Sequence, residues 1–368
     1  MALTCGIIGL PNVGKSTIFS ALTAASVAVS NYPFCTIEPN SGVVQVPDER
    51  LHRLGAVIQP ERLVPATVTF IDIAGLVRGA ARGEGLGNRF LGHIRDVTAI
   101  AHVVRCFSDD RVIHIHGEVD PVTDIEVVNV ELALADLDAA QKRIARQERM
   151  VKSHDRRLAK RAEREIILLK RIEAGLAENV PVRAMGLSRE ELGLVREVNF
   201  LTVKPVLYVL NADDDSLEQG NAYIHAAREH AAKEGAHTVV LSGQSEAEIA
   251  RMEERERREF MDMLGIQASG LSRLIQAAYH LLGYITFFTT QGPEVRAWNI
   301  ARGTHAQEAA GMIHSDFARG FIRAEVYPCR DVVAHGSEAA LRQAGKLRLE
   351  GKEYVVQDGD VIHFLFNP

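Results

Sequence analysis

Five short apolar runs, rich in Val and Ile, recur along the first two thirds of the chain. Runs of this kind are typical of strands that are buried on both faces of a parallel sheet. Helical patterns at 15–25 and 221–234 separate several of them, which predicts a doubly wound α/β sheet whose ligands bind beyond the carboxyl ends of the strands. The five predicted strands are 4–9, 67–73, 99–107, 205–210 and 238–241.

Between the third and fourth runs, residues 129–199 form a stretch too long for a simple helical connection. Its apolar positions step by threes and fours, which predicts two antiparallel helices with a turn near 153–155. Ser188 and Glu191 have the spacing of a capping box, so a further helix is expected to begin there and lead back to the sheet. The predicted apolar positions are Val130, Leu134, Leu137, Ile144, Val151, Leu158, Ala162, Leu169, Ile172 and Leu176, with polar interruptions at Gln141, Glu148 and Glu165.

From about residue 281, strand-like segments flank one helical stretch at 306–318. This pattern predicts a small mixed β-sheet packed on one helix, of the β-grasp kind. Three domains are therefore expected: a sheet domain at 1–128 and 200–280, an inserted hairpin at 129–199 and a β-grasp domain at 281–368. The predicted strands of the last domain are 284–289, 295–300, 321–326, 354–356 and 361–366.

Composition adds few constraints. Apolar residues make up 46% and charged residues 24%, as in an ordinary folded protein. No apolar run approaches the ~18 residues of a membrane span, and no basic signal peptide precedes the first strand, so a cytoplasmic protein without membrane contact is expected. The four cysteines, Cys5, Cys35, Cys106 and Cys329, lie far apart, which argues against a zinc site or a disulfide framework.

Charge is distributed unevenly. The net charge is −6, yet residues 141–171 hold twelve Lys and Arg against four Asp and Glu. This excess on the predicted hairpin favours a surface that contacts RNA, while the alternative is a solvated helical face. The segment contains neither Phe nor Tyr, so stacking on bases is not expected there.

The strongest chemical signal is GLPNVGKST at 9–17, which fits GxxxxGK[ST] directly after a predicted strand and directly before a predicted helix. In such a loop the backbone amides and the helix N-terminus bind phosphates, Lys15 reaches the β- and γ-oxygens, and the Ser16 hydroxyl ligates Mg²⁺. The alternative is an ordinary glycine-rich turn. The predicted phosphate-binding residues are Gly9, Asn12, Val13, Gly14, Lys15, Ser16 and Thr17, and Lys15 is also a predicted catalytic residue.

Two further segments complete the expected phosphate site. Asp72 ends a predicted strand and begins DIAG, where its carboxylate can hold Mg²⁺ through water and the Gly75 amide can sense the γ-phosphate. Thr36, between the first helix and the second predicted strand, is the expected loop ligand of Mg²⁺. The glycine-rich stretch 79–90 suits a loop that changes conformation with the nucleotide.

The base is expected to bind at the ends of the last two strands. Asn211, Ala212 and Asp214 follow one of them, and Ser242 and Gly243 follow the other. The Asp214 carboxylate can accept from the N1 and N2 groups of guanine, but Ala212 replaces the Lys of the guanine-reading NKxD motif. Adenine and guanine therefore both remain open at this stage.

The segments that carry these residues resemble the YchF/Obg-like ATPase family over essentially the whole chain. The resemblance implies a P-loop domain, a helical-hairpin insertion, a C-terminal TGS domain of β-grasp type, a preference for ATP over GTP and association with ribosomes. The family's base-reading motif is NxxE, and this chain has Asn211 and Asp214 at the corresponding positions. The matching segments are NVGKST, NYPFCTIEPN, DIAGLVRGAARGEGLGN, HVVRCF, EVRAW and DGDVIHFLFN.

The resemblance also bears on the catalytic step. Leu76 stands where many GTPases carry a water-positioning Gln. The family is thought to use a histidine on a mobile loop instead, and the matching segment RVIHIHGEVDP places it at His114, with His116 close by. A neutral imidazole can orient the attacking water or accept its proton. The alternative for such a histidine is a structural role.

The sequence thus predicts an enzyme that slowly hydrolyses ATP, with hydrolysis of GTP left open, and that acts as a nucleotide-dependent switch. One alternative is a nucleotide-gated adaptor for RNA or the ribosome with negligible turnover. Another is a guanine-specific GTPase, which rests on Asp214. A monomer is expected, and Asn12 is either a support for a potassium site or a brace of the phosphate loop.

Overall fold

The computed structural model describes residues 4–24, 40–73, 87–115, 117–263 and 268–367. The chain packs into two compact units, residues 1–42 with 69–278 and residues 43–68 with 279–368. The segment 43–68 is thus part of the second unit, although the chain on both sides of it belongs to the first. The division into three domains stays a prediction, because packing alone does not test which parts fold independently.

The described residues form twelve strands and fourteen α-helices, each set numbered in chain order. The strands are β1 (Thr4–Ile8), β2 (Ser41–Gln45), β3 (Arg62–Val64), β4 (Thr67–Asp72), β5 (Ala99–Arg105), β6 (Val206–Asn211), β7 (His237–Leu241), β8 (Tyr284–Thr289), β9 (Glu294–Ala301), β10 (Phe321–Pro328), β11 (Arg348–Glu350) and β12 (Asp360–Phe366). The helices are α1 (Lys15–Ala24), α2 (Glu49–Ile58), α3 (Gly87–Asp96), α4 (Pro121–Met150), α5 (Arg156–Ala177), α6 (Arg189–Leu194), α7 (Ala222–Lys233), α8 (Gly243–Ile249), α9 (Glu254–Met263), α10 (Gly270–Leu281), α11 (Ala306–Ile313), α12 (Ser315–Arg319), α13 (Cys329–His335) and α14 (Glu338–Gln343).

A six-stranded sheet in the order β2-β4-β1-β5-β6-β7 forms the centre of the first unit. β1 pairs in parallel with β4 and β5, and β6 and β7 continue the sheet in parallel. Every residue of β5 and β6 is buried, as expected for strands covered on both faces. The predicted α/β fold is confirmed, and the five predicted strands match the observed ones to within two residues at each end. Their carboxyl ends carry the predicted nucleotide-binding motifs.

The predicted antiparallel hairpin is formed by α4 and α5. Asp120 caps α4 by accepting from the amides of Val122 and Thr123, and Pro121 occupies the first helical position, where its missing N–H costs nothing. Asp155 caps α5 in the same way after the turn at 151–155. The capping box of Ser188 that begins α6 is confirmed.

The apolar stripe predicted for the hairpin is partly wrong. Val130, Leu134 and Leu158 are exposed by 40%, 40% and 45%. The first half of α4 packs against α7 as well as α5, so its buried positions do not follow a single stripe. Farther along the helix the buried polar position is Gln147, not Glu148. The hairpin core contains Ala133, Ala140, Ile144, Leu168, Leu169, Ile172 and Leu176.

The second unit contains a mixed sheet in the order β11-β10-β12-β8-β9-β3. β12 pairs in parallel with β8, and β10 and β9 are antiparallel to their neighbours β12 and β8. Helix α11 packs on the sheet through three alanines, Ala306, Ala309 and Ala310, which allow it to lie close to the aromatic core around Phe287. The predicted mixed sheet with one packed helix is confirmed.

Several elements of the second unit differ from the prediction. Residues 354–356 are not a strand, because Val355 makes one isolated bridge to His305 and the Tyr354 amide closes a turn by donating to the Gly351 carbonyl. β3 comes from residues 62–64 and pairs in parallel with β9. Sequence analysis predicted none of β2, β3, β11, α2, α13 and α14, most of which are too short to produce a clear period.

Candidate nucleotide-binding site

The loop between β1 and α1 turns through three residues with positive φ: Gly9 (149°), Asn12 (61°) and Gly14 (97°). Asn is among the few residues other than glycine that adopt the left-handed region readily. Asn12 Nδ2 donates to the Ile113 carbonyl at 3.1 Å. In this structure Asn12 therefore braces the loop, which was the alternative to a potassium site, and a potassium requirement stays a prediction.

Asn211, the last residue of β6, joins the phosphate loop to the segment after β7. Its Nδ2 donates to the Val13 carbonyl at 2.9 Å, and its Oδ1 accepts from the Gly243 amide at 2.9 Å. The side chain is buried, and a Cβ at Gly14 would overlap its Nδ2. Gly14 is thus required both for its backbone conformation and for the close approach of Asn211. The structure brings Val13, Gly14, Asn211 and Gly243 together.

Lys15 is buried at the start of α1, where Nζ donates to the Leu10 carbonyl at 2.6 Å. Burial lowers the pKa of Lys15 from 10.5 to about 8, and the carboxylate of Asp72 acts in the opposite direction. A buried ammonium without a fully compensating anion favours the binding of an anionic group. Lys15 is placed to supply positive charge to a phosphate bound by the loop.

Asp72 ends β4 directly beside Ile7 of β1, so its carboxylate lies at the same edge of the sheet as the phosphate loop. Burial raises the pKa of Asp72, and Lys15 opposes that shift. The Ser16 side chain is exposed at the first turn of α1. A hydroxyl and one carboxylate are hard oxygen donors of the kind that Mg²⁺ uses alongside phosphate oxygens and water, so the residues fit this ion.

Two of the predicted phosphate-site residues, Thr36 and Gly75, lie outside the described residues, as does the glycine-rich stretch up to residue 86. Within the described ranges, no group of three or more His, Cys, Asp and Glu side chains is arranged to hold a metal ion. A Mg²⁺ site of the predicted type needs no such group, because phosphate and water supply most of its ligands.

A cleft of about 620 Å³ opens beside the loop, at the carboxyl ends of β5, β6 and β7. A volume of this size lies within the range of pockets for nucleotide-sized ligands. Four carboxylates line the side formed by β5 and β6. The lining residues are Asn12, Gly14, Thr17, Phe107, Asp109, Val112, Asn211, Ala212, Asp213, Asp214, Asp215, Ser242, Gly243 and Gln244.

Among the predicted base-binding residues, Asp214 is fixed by a hydrogen bond. The Ser245 hydroxyl donates to its Oδ1 at 2.5 Å. The Ser242 side chain caps α8 by accepting from the Ser245 amide, and the Ala212 amide donates to the Leu241 carbonyl. The predicted residues from the two strand ends therefore line one wall of the same cleft.

Sequence analysis missed the wall that follows β5. Arg105 is buried, and its guanidinium donates to the carbonyls of Phe107, Asp109 and Val112 at 3.1, 3.3 and 3.0 Å. The guanidinium also lies over the Phe107 ring, 4.5 Å from its centre. A single buried arginine thus organises residues 107–112 as a wall of the cleft. The position of these residues directly after a buried strand was the signal that could have identified them.

His114 lies just beyond this wall but is not among the residues that line the cleft. Its imidazole is buried, and Nε2 lies 3.0 Å from Asp124 Oδ2 in the first turn of α4. The predicted catalytic role is therefore not realised in this conformation of the side chain. His116 lies outside the described residues.

Some basic residues of the stretch 141–171 form ion pairs with carboxylates, and others do not. Arg143 pairs with buried Glu165 at 2.5 Å, and Arg164 pairs with Glu190 at 2.6 Å. Lys142 and Arg171 also have carboxylate partners. Toward the turn, seven exposed basic residues have no ion-pair partner within the part of the chain that the structure describes. They are Arg146, Arg149, Lys152, Arg156, Arg157, Lys160 and Arg161.

The remaining sequence predictions concern cysteines and membranes. Cys5, Cys106 and Cys329 are buried free thiols, and burial raises the pKa of each. Cys35 lies outside the described residues. Within the described ranges, no helix has the length and apolar character needed to cross a bilayer.

Comparison with known proteins identifies similarity along the whole chain. Residues 4–170 match a family described as 50S ribosome-binding GTPase, and residues 284–367 match the YchF-GTPase_C family, described as a protein of unknown function (DUF933). The chain is 51% identical over 369 residues to the "Ribosome-binding ATPase YchF" of Bacillus subtilis (strain 168), with all of both chains covered. It is 49% identical over 367 residues to the protein of that name from Escherichia coli O157:H7, again with complete coverage.

A solved structure shows the same architecture. The Schizosaccharomyces pombe YchF GTPase superimposes with a TM-score of 0.89 at 36% identity, covering 99% of this chain and 97% of that chain. The match spans the sheet, the hairpin and the C-terminal mixed sheet, so it supports the fold over the whole length of the chain.

Proposed function

Because the chain belongs to the YchF family of ribosome-binding ATPases, we propose that it binds ATP in the cleft beside Asn211 and hydrolyses the γ-phosphate bond as a switch on the ribosome. The observation that carries this proposal is the junction of Gly14, Lys15 and Asn211. Lys15 is a buried cation there, and Gly14 has a positive φ. The Asn211 side-chain amide holds the phosphate loop against the side of the cleft where the base is proposed to bind.

The residues of the chain then have distinct tasks. The backbone amides of 12–17 and the N-terminus of α1 bind the phosphates, and Lys15 leaves the Leu10 carbonyl for the β- and γ-oxygens. Ser16, Asp72 and Thr36 would hold Mg²⁺, which when bound neutralises charge on the phosphate oxygens. Gly75 would donate its amide to the γ-phosphate and so report its presence to the chain that follows.

His114 is proposed to orient the attacking water. Its present position beside Asp124 requires that the imidazole move before hydrolysis, which agrees with the slow turnover predicted for the protein alone. That position also keeps the adaptor hypothesis open, because an adaptor needs nucleotide exchange but no moving histidine. Single-turnover hydrolysis with and without ribosomes separates the two: an enzyme is expected to be stimulated, while an adaptor would show no useful turnover in either condition.

Asp214 is the residue of the cleft that bears most directly on whether adenine or guanine is preferred. Guanine presents two donors, N1–H and the N2 amino group, to a carboxylate, whereas adenine presents an acceptor at N1. The hydrogen bond from Ser245 fixes Asp214 Oδ1, and the side chain is one carbon shorter than the family's Glu. These contacts alone would favour guanine, so the expectation that ATP binds more tightly than GTP rests on the relatives that are named ribosome-binding ATPases.

Competition for a fluorescent ATP analogue provides the measurement. ATP is expected to displace the analogue at a concentration at least about tenfold below that of GTP, which corresponds to about 1.4 kcal/mol. CTP serves as the control for phosphate binding alone. Tighter binding of GTP would replace ATP by GTP as the substrate and establish the guanine-specific alternative.

The partner is proposed to bind the basic end of the hairpin. The seven basic side chains between 146 and 161 that have no ion-pair partner among the described residues present positive charge on an exposed surface of the hairpin, which suits the phosphates of ribosomal RNA. The protein is further proposed to act in the cytoplasm as a monomer, with Mg²⁺ as its metal.

Replacing Arg157, Lys160 and Arg161 by Ala is expected to weaken ribosome binding and to flatten its salt dependence. Each phosphate that the protein no longer neutralises reduces the slope of log K against log salt by about 0.7 to 0.9, so the slope of the triple variant is expected to fall by about 2. Cosedimentation with ribosomes over a range of KCl concentrations measures both quantities.

The matched control removes three basic residues from the same hairpin that are already paired with carboxylates: Lys142, Arg164 and Arg171. This variant has the same net charge as the first, but its salt slope is expected to stay close to that of the unmodified protein. Equal slopes in the two triple variants would show that net charge, not a local contact near the turn, determines binding.

A further inference from the structure

The imidazole of His114 is held by the hairpin in an orientation that blocks its proposed task. Nε2 and Asp124 Oδ2 are 3.0 Å apart, and the two side chains are 4% and 2% exposed. A carboxylate oxygen accepts, so Nε2 is the donor in this pair. A nitrogen that donates to a carboxylate cannot simultaneously accept a proton from water, and so little exposure leaves no room for the water.

The exposure pattern around His114 is the reverse of what solvent favours. Ile113 and Ile115 are exposed by 79% and 43%, while the polar residue between them is buried. The Gly117 amide donates to the His114 carbonyl at 3.1 Å, so His114 begins a turn. Rotating this turn would exchange the environments of the imidazole and its isoleucine neighbours. A short segment with apolar residues outward and a histidine inward is therefore suited to two arrangements.

The segment that would exchange sides is bounded by a fixed stretch on its N-terminal side and by a glycine with open space around it on its C-terminal side. On its N-terminal side the Val112 and Ile113 carbonyls are held by Arg105 and Asn12. On its C-terminal side Gly117 has a left-handed backbone, with φ of 88°, and no atom within 4 Å of the position of a Cβ. Rotation of the chain between these two bounds therefore leaves the wall of the cleft in place.

Asp124 connects this segment to the hairpin. It lies in the first turn of α4, whose 30 residues extend about 45 Å to the basic end. Between the two, buried Asp136 anchors the helix by accepting from the amides of Leu201 and Thr202, each at 2.8 Å. Because Asp136 holds the middle of a stiff helix, displacement of the basic end would pivot the helix at that point and move its first turn.

We propose that Asp124 is a positioning residue that retains His114 away from the nucleotide, and that displacement of α4 upon ribosome binding separates the pair and releases the imidazole. This inference rests on the proposed catalytic role of His114. It adds the means by which a partner at the hairpin controls hydrolysis in the cleft, since the same helix carries the basic surface and the carboxylate.

Single-turnover hydrolysis of ATP with and without 70S ribosomes tests the proposal. Asp124→Asn keeps the shape of the side chain but weakens its bond to His114. The expected result is turnover without ribosomes that rises about tenfold, with a correspondingly smaller stimulation by ribosomes and an unchanged affinity for a fluorescent ATP analogue. The gain is expected to disappear when His114→Ala is combined with Asp124→Asn.

Asp120→Asn is the matched control. It removes the same charge from the same end of α4, and Asn is as good a helix cap as Asp, but Asp120 bonds to Val122 and Thr123 and not to His114. Basal turnover and ribosome stimulation are expected to stay at the unmodified level. Circular dichroism and the midpoint of thermal unfolding verify that all the variants fold.

Four outcomes would overturn the inference, and they differ in what else they remove. Lower turnover of Asp124→Asn in both conditions would make Asp124 an orienting partner in catalysis. A gain that persists without His114 would mean that Asp124 acts elsewhere. Unchanged turnover of His114→Ala alone would remove the proposed catalytic role together with the inference, whereas a large loss in His114→Ala without a gain in Asp124→Asn removes only the inference.

Discussion

Gly14→Ala is expected to lower the affinity for ATP about a hundredfold while leaving the protein folded. The added Cβ overlaps Asn211 Nδ2, and the backbone at φ 97° is strained for any residue with a Cβ. Strain of about 1 to 2 kcal/mol and two hydrogen bonds of Asn211 worth about 1 kcal/mol each exceed the ~2.7 kcal/mol that a hundredfold loss requires. Titration with a fluorescent ATP analogue measures the loss.

Gly235→Ala separates backbone strain from the effect on the site. Gly235 also has a left-handed backbone, with φ of 66°, but no atom lies within 4 Å of the position of its Cβ. Its replacement is expected to cost about 1 kcal/mol of stability and to leave ATP affinity unchanged. If Gly14→Ala, folded as judged by circular dichroism, bound ATP as well as Gly235→Ala does, the junction at Asn211 would not be what shapes the phosphate site.

The affinity for ATP is expected to fall as the pH rises above 8, by up to tenfold per pH unit. Burial lowers the pKa of Lys15 to about 8 in the nucleotide-free protein, so the ammonium is lost above that pH. Phosphates bind the charged form and raise its pKa again. Binding therefore takes up a proton, and a reaction that takes up a proton weakens as the pH rises.

Calorimetry in two buffers of different ionisation enthalpy counts the protons. Uptake is expected to approach one at pH 9 and to be small at pH 7. His102 does not contribute, since burial, with Lys15 and Arg183 adding to it, lowers its pKa to about 3 and keeps it neutral throughout this range. Lys15→Met is expected to bind ATP weakly and with no slope between pH 7 and 9. Full affinity of the unmodified protein at pH 9 without proton uptake would contradict the role assigned to Lys15.

The sequence predicts well those parts of the fold in which one strong local pattern determines the structure. The buried runs that became β5 and β6 are apolar except for His102, the Tyr208 hydroxyl and the last residue of each strand, Arg105 and Asn211, so their ends are recognisable. Ser188 and Glu191 predict a helix start because a capping box depends on residues that are close in the chain.

The prediction of the hairpin surface failed where packing is not local. Val130 and Leu134 continue an apolar period along α4, yet both are exposed, because that part of the helix packs on two neighbours, α5 and α7, and a single period encodes only one. β3 was invisible for the same reason: three residues gain their conformation from pairing with β9, more than 200 positions later in the chain.

The candidate site shows the same division. The phosphate loop, Asp72 and Asn211 were predicted from motifs, and the structure brings their strand ends to one edge of the sheet. The task of Arg105 could not be predicted, because it binds three backbone carbonyls and not side chains with a recognisable spacing. The partner of His114 could not be predicted either, since nothing in the sequence shows that the loop folds back against α4.

Because β3 comes from an early part of the chain, the second unit can form only late in synthesis. Residues 43–68 leave the ribosome more than 200 residues before β9, and until then Leu51 and Leu54 of α2 have no permanent cover. β3 likewise has no strand to pair with until Glu294 and Val295 have been synthesised. In the growing chain, β3 and α2 therefore lack their packing partners through most of translation. A C-terminal fragment made alone would lack β3 and so expose β9 as an open edge, prone to pairing with other chains.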